Sequence, residues 1–198
     1  MCKIDWNLII QFFIAIGTCG AVMVALWGEW IKYYLWPLSL RIEPHNTKGV
    51  LGGDPDSIYY HLRVVNSRKW RIAKNCRVNL LEIHKQYPNG EFYPIPIVVE
   101  SSFFWSPRSG SRINYDVNDW KEFDFLISVQ NHNVRPLISF YPREFEGNVS
   151  PGGKVRYVLQ IVAEGFRSER QIFEVAWDGN WTTNLAEMGR HLTIRELV

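Results

Sequence analysis

The side chains best suited to binding a charged ligand are concentrated in a basic segment between two apolar stretches. Residues 66–77 read NSRKWRIAKNCR and contain five basic residues and no acidic residue. The candidate contact residues in this segment are Arg68, Lys69, Trp70, Arg71 and Lys74. Arginine and lysine bind phosphate groups, and an indole ring stacks on a base or lies at the level of lipid headgroups. The segment therefore predicts a loop that binds an anionic partner.

A second basic segment combines arginine with small polar residues. Residues 106–112 read SPRSGSR, in which Arg108, Ser109 and Arg112 are candidate contacts because hydroxyl and backbone N–H groups suit phosphate binding. Three partners remain open for the two segments: anionic lipid headgroups, a nucleotide or phosphate ligand with Trp70 stacked on a base, and an acidic protein. The fourth interpretation is a basic loop that is simply solvated, as charged surface loops commonly are.

No segment has the spacing of a known catalytic or metal-binding motif. The chain lacks G-x-S-x-G, H-E-x-x-H, a Walker loop and G-x-G-x-x-G. The five histidines are scattered without cysteine or carboxylate at ligand spacing. His61 and His84 fall in strand-like segments, where we expect them on exposed or edge faces. We therefore expect a non-enzymatic protein with no metal and no cofactor.

The N-terminal region is apolar over the length of a membrane span. Residues 8–27 read LIIQFFIAIGTCGAVMVALW, with no charge and one strongly polar side chain. About 20 such residues in a helix cross the hydrocarbon of a bilayer. Trp6 and Trp27 bracket the segment, as aromatic residues do at membrane interfaces. The sequence predicts one N-terminal transmembrane helix rather than a cleaved signal peptide.

One face of this helix carries residues typical of helix–helix contacts. Gly17 and Ala21 are four positions apart, and small residues at that spacing allow two helices to approach closely. Gln11 adds an amide that needs a hydrogen-bonding partner in lipid. We expect this face to pack on another membrane protein or on a second copy of the chain.

The charges that flank the helix predict its orientation. Lys3 is the basic residue before the apolar segment, whereas Lys32, Arg41 and Lys48 follow it. The positive-inside rule then places the rest of the chain in the cytoplasm, with the bacterial inner membrane as the favoured location. The formal net charge of +2 gives no indication of DNA or RNA binding.

Alternation of apolar and polar residues predicts β-strands through most of residues 38–198. The strand-like segments are 38–42, 58–66, 76–80, 92–99, 123–129, 137–141, 155–163 and 172–177. Glycine, proline and asparagine clusters separate these segments, and only 183–190 favours a helix. The predicted organisation is a transmembrane helix with an aromatic exit over 1–37 and an all-β domain over 38–198, either a sandwich or a small barrel.

Two segments of the β domain resemble immunoglobulin-like domains of small bacterial proteins. Residues 60–66, YHLRVVN, and residues 73–78, AKNCRV, are similar to a strand pair in those domains, and residues 154–177 resemble their terminal hairpin. The resemblance implies an immunoglobulin-like β-sandwich and no particular activity. Cys76 has no second cysteine in the β domain, so the antibody-type disulfide is not implied.

Two functional hypotheses of different classes follow. The first is a membrane-anchored binding or accessory module that belongs to a larger membrane-associated assembly. The alternative is a membrane effector or sensor whose cytoplasmic β domain binds a nucleotide signal. That architecture resembles small membrane effectors of bacterial antiphage signalling, which join transmembrane helices to a ligand-binding β domain.

Overall fold

The chain folds into two compact units, Met1–Leu38 and Ser39–Val198. The structure is a computed structural model, and it describes residues 6–35, 37–53, 57–97, 99–107 and 112–197.

The first unit is a single helix, α1 (Trp6–Leu35), which includes the predicted segment 8–27 and extends beyond both of its ends. It contains no proline, and the Thr18 hydroxyl donates a hydrogen bond to the Ile14 carbonyl at 2.8 Å. Large apolar side chains along the described part of α1 are exposed, among them Phe13 and Val24 at 67% each.

The prediction of a helix in this region is confirmed, but its assignment as a membrane span is not. In the part of the chain that the structure describes, no helix combines the length and the apolar character needed to cross a membrane.

The second unit is built from β-strands and one short helix. In chain order the strands are β1 (Leu40–Leu51), β2 (Ser57–Asn66), β3 (Ala73–Gln86), β4 (Phe92–Ile95), β5 (Ser101–Ser102), β6 (Phe104–Trp105), β7 (Tyr115–Val117), β8 (Trp120–Val129), β9 (Arg135–Pro136), β10 (Lys154–Ala163), β11 (Phe166–Arg167), β12 (Gln171–Trp177) and β13 (Leu192–Leu197). Between β12 and β13 lies α2 (Leu185–His191), whose first turn is capped by the Asn184 side chain. The prediction of an all-β domain is confirmed.

The strands form two antiparallel sheets that share one core. The first sheet has the order β1-β2-β8-β6, with β9 also paired to β8, and the second has the order β13-β12-β10-β3-β4. Phe125 from the first sheet packs against Tyr157 and Phe173 from the second, with ring centroids 5.6 and 6.1 Å apart. Alternate residues of each long strand point into this aromatic core, which explains the period-2 pattern of the sequence.

The outer side of β1 is closed by a side chain from the second sheet. Gln171 at the start of β12 accepts a hydrogen bond from the Ile42 amide at 2.7 Å and donates one to the Ile42 carbonyl at 2.9 Å. The glutamine amide thus makes the pair of bonds that a neighbouring strand would make.

Two predicted strands differ from those observed. Residues 137–141 do not form a strand, because the Leu137 amide donates to Phe125 while the Ser139 amide donates to Ser102, so that no single ladder continues. The strand predicted over 92–99 ends at Ile95, and the proline that follows at position 96 has no N–H to extend the ladder.

Candidate functional site

The first predicted binding segment forms the connection between β2 and β3. Residues 67–72 of this connection are called the basic loop below. β1 begins beside the end of β2, since Leu40 pairs with Asn66 and the Ser67 amide donates to the Ser39 carbonyl at 3.0 Å. The basic loop therefore lies at the end of the β domain where the chain enters from α1, which we call the proximal end.

A single buried side chain holds the basic loop in place. Asn66 is fully buried, and its Nδ2 donates to the carbonyls of Arg71 at 2.6 Å and Asn118 at 3.0 Å. Its Oδ1 accepts from the Arg68 amide at 3.0 Å, and its own amide donates to the Asp119 carbonyl at 2.7 Å. These bonds fasten the loop to the turn between β7 and β8, so that the loop backbone is ordered before any ligand binds.

The side chains of the basic loop present both charge and apolar surface. Trp70 and Ile72 are 58% and 50% exposed. Lys69 forms an ion pair with Asp119 at 2.8 Å, and both side chains are largely exposed, so that the pair contributes at most about 1 kcal/mol to stability. One positive charge of the loop is therefore partly neutralised by its own domain. Lys74 is exposed at the beginning of β3.

The second basic segment is described only in part. Arg108 and Ser109 lie outside the described residues. Arg112 is exposed, and its carbonyl accepts from the Trp105 amide at 3.1 Å. Among the described residues, no hydrogen bond or ion pair links the Arg112 guanidinium to the basic loop. The predicted combination of the two segments into one site stays a prediction.

The helix face predicted to pack on another helix is open in this single chain. Gln11, Gly17 and Ala21 are exposed, and a Cβ placed at Gly17 would meet no atom within 4 Å. Helix association through these residues stays a prediction.

His61 is buried, contrary to our expectation of an exposed or edge position. An extra residue in β8, Phe125, forms a β-bulge where β2 and β8 pair, and His61 stands opposite Asp124 beside it. The His61 Nε2 and Asp124 Oδ1 are 3.1 Å apart, and both side chains are almost fully buried. The contact satisfies two polar groups that would otherwise be costly to bury.

The described residues bring together few groups for covalent or metal chemistry. Burial, reinforced by the charge of Asp116, raises the pKa of the Cys76 thiol to about 12, so this side chain stays a protonated thiol. No group of three or more histidine, cysteine or acidic side chains is placed to hold a metal ion within the described ranges.

A cleft that no sequence pattern predicts forms at the opposite end of the β domain, which we call the distal end. The cleft has a volume of about 300 Å³ and is called the distal cleft below. Its lining is Gly152, Gly153, Lys154, Ala176, Trp177, Asp178, Arg190, His191 and Thr193. The lining contains two cations and a histidine against one carboxylate.

Backbone geometry shapes one wall of the distal cleft. The Gly153 amide donates to the Ser150 carbonyl at 2.9 Å, with Pro151 and Gly152 between them and a φ of +72° at Gly152. Proline followed by glycine with positive φ is typical of a type II turn. A Cβ at Gly152 would meet no atom within 4 Å, so the turn leaves open space beside it.

A hydrogen-bonded pair forms another part of the lining. The His191 Nδ1 lies 2.7 Å from the Asp178 Oδ2, and the Asn180 amide donates to the other carboxylate oxygen at 2.8 Å. Desolvation opposes ionisation of Asp178, yet the Asn180 amide and the His191 side chain together hold its pKa below the ordinary value. The carboxylate is therefore ionised at neutral pH and fixes the orientation of the imidazole ring.

The signals for the distal cleft are present in the sequence but far apart. The Pro-Gly-Gly-Lys turn begins at residue 151, Asp178 follows β12, and Arg190 ends α2. The first two segments have the composition of turns and the third that of a short helix, and only the pairing of β12 with both β10 and β13 brings them together. Comparison with known proteins gave no match, either to a family model or to a curated protein.

Proposed function

We propose that the chain is a membrane-associated, non-enzymatic binding or accessory module whose basic loop contacts anionic lipid headgroups. In this proposal α1 holds the protein at the cytoplasmic face of a bacterial inner membrane, and the β domain contacts other members of a larger assembly. The position and composition of the basic loop carry the proposal.

The basic loop combines the two features that favour a charged lipid surface. It carries Arg68, Lys69 and Arg71 for phosphate groups, and Trp70 and Ile72 expose apolar surface beside them. Each basic residue near an anionic leaflet contributes about 1 kcal/mol to binding, and tryptophan favours the headgroup region.

The connectivity of the chain supports the same surface. The Ser67 amide bonds to Ser39, the first residue of the β domain, and α1 ends at Leu35, so few residues separate the helix from the proximal end. A helix held in lipid would keep the basic loop within reach of the headgroups. The exposed apolar side chains of α1 favour such an environment, since contiguous apolar surface is costly in water.

The strand order supports an immunoglobulin-like fold for the module. In such domains the strands A, B and E form one sheet, and C, F and G form the other. Here β1-β2-β8 lie in one sheet and β3-β10-β12 lie in the other, in the corresponding chain order. Domains of this architecture present binding loops at the ends of the sheets, which suits a module that contacts protein partners.

Proteolysis on vesicles tests the proposal. The full chain is reconstituted into vesicles of phosphatidylcholine alone or mixed with phosphatidylglycerol, and trypsin cleavage is followed at Lys69 and Arg71. We expect anionic vesicles to protect these two sites and neutral vesicles to leave them open, with protection lost in high salt. Equal cleavage rates in both kinds of vesicle would contradict the proposed lipid contact.

Two variants with the same change in net charge distinguish a specific effect of the basic loop from a general effect of charge on membrane binding. Replacing Arg68, Arg71 and Lys74 by glutamine removes about 3 kcal/mol of attraction, or roughly a hundredfold in the equilibrium between bound and free loop. The control replaces the exposed residues Arg135, Arg143 and Arg195 by glutamine and changes the net charge by the same amount. Protection at Lys69 should fall in the loop variant and persist in the control.

The alternative hypothesis, a membrane effector of antiphage signalling, requires a nucleotide-binding site in the β domain. A thermal-shift screen of cyclic and linear nucleotides on the full chain tests this alternative, since a bound ligand stabilises the folded state.

A further inference from the structure

We propose that the distal cleft binds a small soluble ligand that carries a phosphate monoester or a similar dianion. The proposal does not rest on the function proposed for the basic loop. It rests on three side chains, Lys154 at the start of β10 and Arg190 and His191 at the end of α2, which line one cleft.

The two permanent cations of the cleft are not neutralised by the protein. Among the described residues, neither the Lys154 ammonium nor the Arg190 guanidinium forms an ion pair or a side-chain hydrogen bond. Lys69 of the basic loop, in contrast, is paired with Asp119. An anion that enters the cleft can accept hydrogen bonds from the Lys154 ammonium and the Arg190 guanidinium. Charge-assisted hydrogen bonds to such groups are among the stronger contacts in proteins.

The end of α2 explains only part of this charge. Basic residues in the last turn of a helix interact favourably with the helix dipole, which explains why Arg190 and His191 are stable at the end of α2. The last carbonyls already have partners, since Met188 accepts from Leu192 and His191 accepts from Asp178. Lys154 belongs to β10 and has no part in capping α2.

Asp178 fixes the orientation of the His191 ring beside the cleft. Its carboxylate accepts at Nδ1 of His191, with the two atoms 2.7 Å apart. Because Asp178 uses the Nδ1 donor, only the imidazolium form of the ring has a further N–H, at Nε2, for a ligand. The Asp178 carboxylate is 49% exposed, and its two hydrogen bonds, from the Asn180 amide and with His191, offset only part of its negative charge.

The walls of the cleft indicate a ligand larger than inorganic phosphate. Ala176 and the largely buried Trp177 border the cleft, and no atom lies within 4 Å of a Cβ placed at Gly152. A volume of about 300 Å³ is at the small end of ligand sites. A phosphate joined to a small organic group satisfies both the cations and the apolar wall.

The position of the cleft favours a soluble source of phosphate over a lipid. β3 begins next to the basic loop, and β10 runs antiparallel to it, with Val155 opposite Lys85 near the end of β3. Lys154 therefore lies at the distal end, away from the point where the chain enters the β domain. A lipid headgroup is the other source of the same chemistry, and the experiment distinguishes the two.

The probe is phenyl phosphate, observed by ³¹P NMR in the presence of the full chain in nanodiscs of neutral lipid. We expect the phosphorus signal to broaden on addition of the protein. The double variant Lys154→Gln/Arg190→Gln should weaken binding by at least about tenfold, since it removes both charge-assisted donors. Inorganic phosphate should compete with the probe but bind more weakly, because it makes no contact with Trp177.

Two controls keep the result specific. The double variant Arg135→Gln/Arg195→Gln removes the same charge from exposed positions outside the cleft and should broaden the signal as the parent chain does. Circular dichroism of each variant checks that the β domain is folded. Equal broadening by the parent chain and the cleft variant would overturn the proposal. Binding to nanodiscs that contain phosphatidic acid without binding of soluble phenyl phosphate would overturn it equally.

Discussion

The two ends of the β domain carry positive charge in different ways. At the proximal end the cations are neighbours in sequence, and a buried asparagine, Asn66, holds the basic loop that presents them. At the distal end the cations are far apart in sequence and meet only because the strands pair. The proximal cation Lys69 has an ion-pair partner, whereas Lys154 has none within the described residues. The cations of the basic loop can therefore be recognised in the sequence, whereas those of the distal cleft can be recognised only in the fold.

The comparison is most sharply tested at Asn66. Asn66→Ala should lower the free energy of unfolding by about 3 kcal/mol, because the carbonyls of Arg71 and Asn118 and the Arg68 amide lose their partner near the core. Urea denaturation measures the change. Asn114→Ala, at an exposed position, is the matched control and should change stability little. A loss below about 1 kcal/mol would show that the loop does not depend on this side chain.

The distal end depends on backbone conformation at Gly152. Gly152→Ala should lower the free energy of unfolding by about 1–2 kcal/mol, since φ is +72° there and an L-residue is strained in that region. Gly53→Ala is the control, because a Cβ at either position meets no atom within 4 Å and Gly53 does not have positive φ. Equal stability of the two variants would contradict the importance of the turn.

The smallest expected change in stability comes from the Asp178 carboxylate of the distal cleft, and this change depends on pH. The pKa of Asp178 is lower in the folded chain than in the unfolded chain, so its ionised form stabilises the fold above the unfolded pKa of about 3.9. This contribution is lost as the pH falls through the folded pKa. Near neutral pH the free energy of unfolding should be higher for the parent chain than for the variant Asp178→Asn. In acid the two values should become equal.

Urea denaturation of the parent chain and of Asp178→Asn, from neutral pH down to acid, measures the difference between their free energies of unfolding. The variant His191→Gln keeps the hydrogen bond from the Asn180 amide to Asp178. Asp178→Asn introduced into this variant should therefore change the free energy of unfolding by less than it does in the parent chain, but the change should not disappear. A stability difference that grows as the pH falls would have the wrong sign for a depressed pKa.

The β domain could be predicted from local patterns to a large extent. In β2, Ile58, Tyr60, Leu62 and Val64 alternate with more polar residues, and all four are fully buried. Such alternation reports directly which face of a strand is covered. The burial of His61 could not be predicted, because it depends on Asp124 in another strand and on a bulge that no local pattern reveals.

The candidate sites show the same limit. The sequence reveals the basic loop because its residues are contiguous, but not the role of Asn66, since two of its partners, Asn118 and Asp119, come from the turn between β7 and β8. The distal cleft draws on segments near residues 152, 178 and 190, each of which has a sufficient local explanation as a turn or a helix end. Only the antiparallel pairing around β12 makes them one surface.

The side chain that closes β1 has a consequence for how the protein behaves among its own copies. A strand with free N–H and C=O groups is a template on which another chain can add a strand and begin to aggregate. Gln171 occupies both backbone groups of Ile42, so that this part of β1 offers no template. Through this contact, two copies of the β domain that meet are less able to pair edge to edge at Ile42.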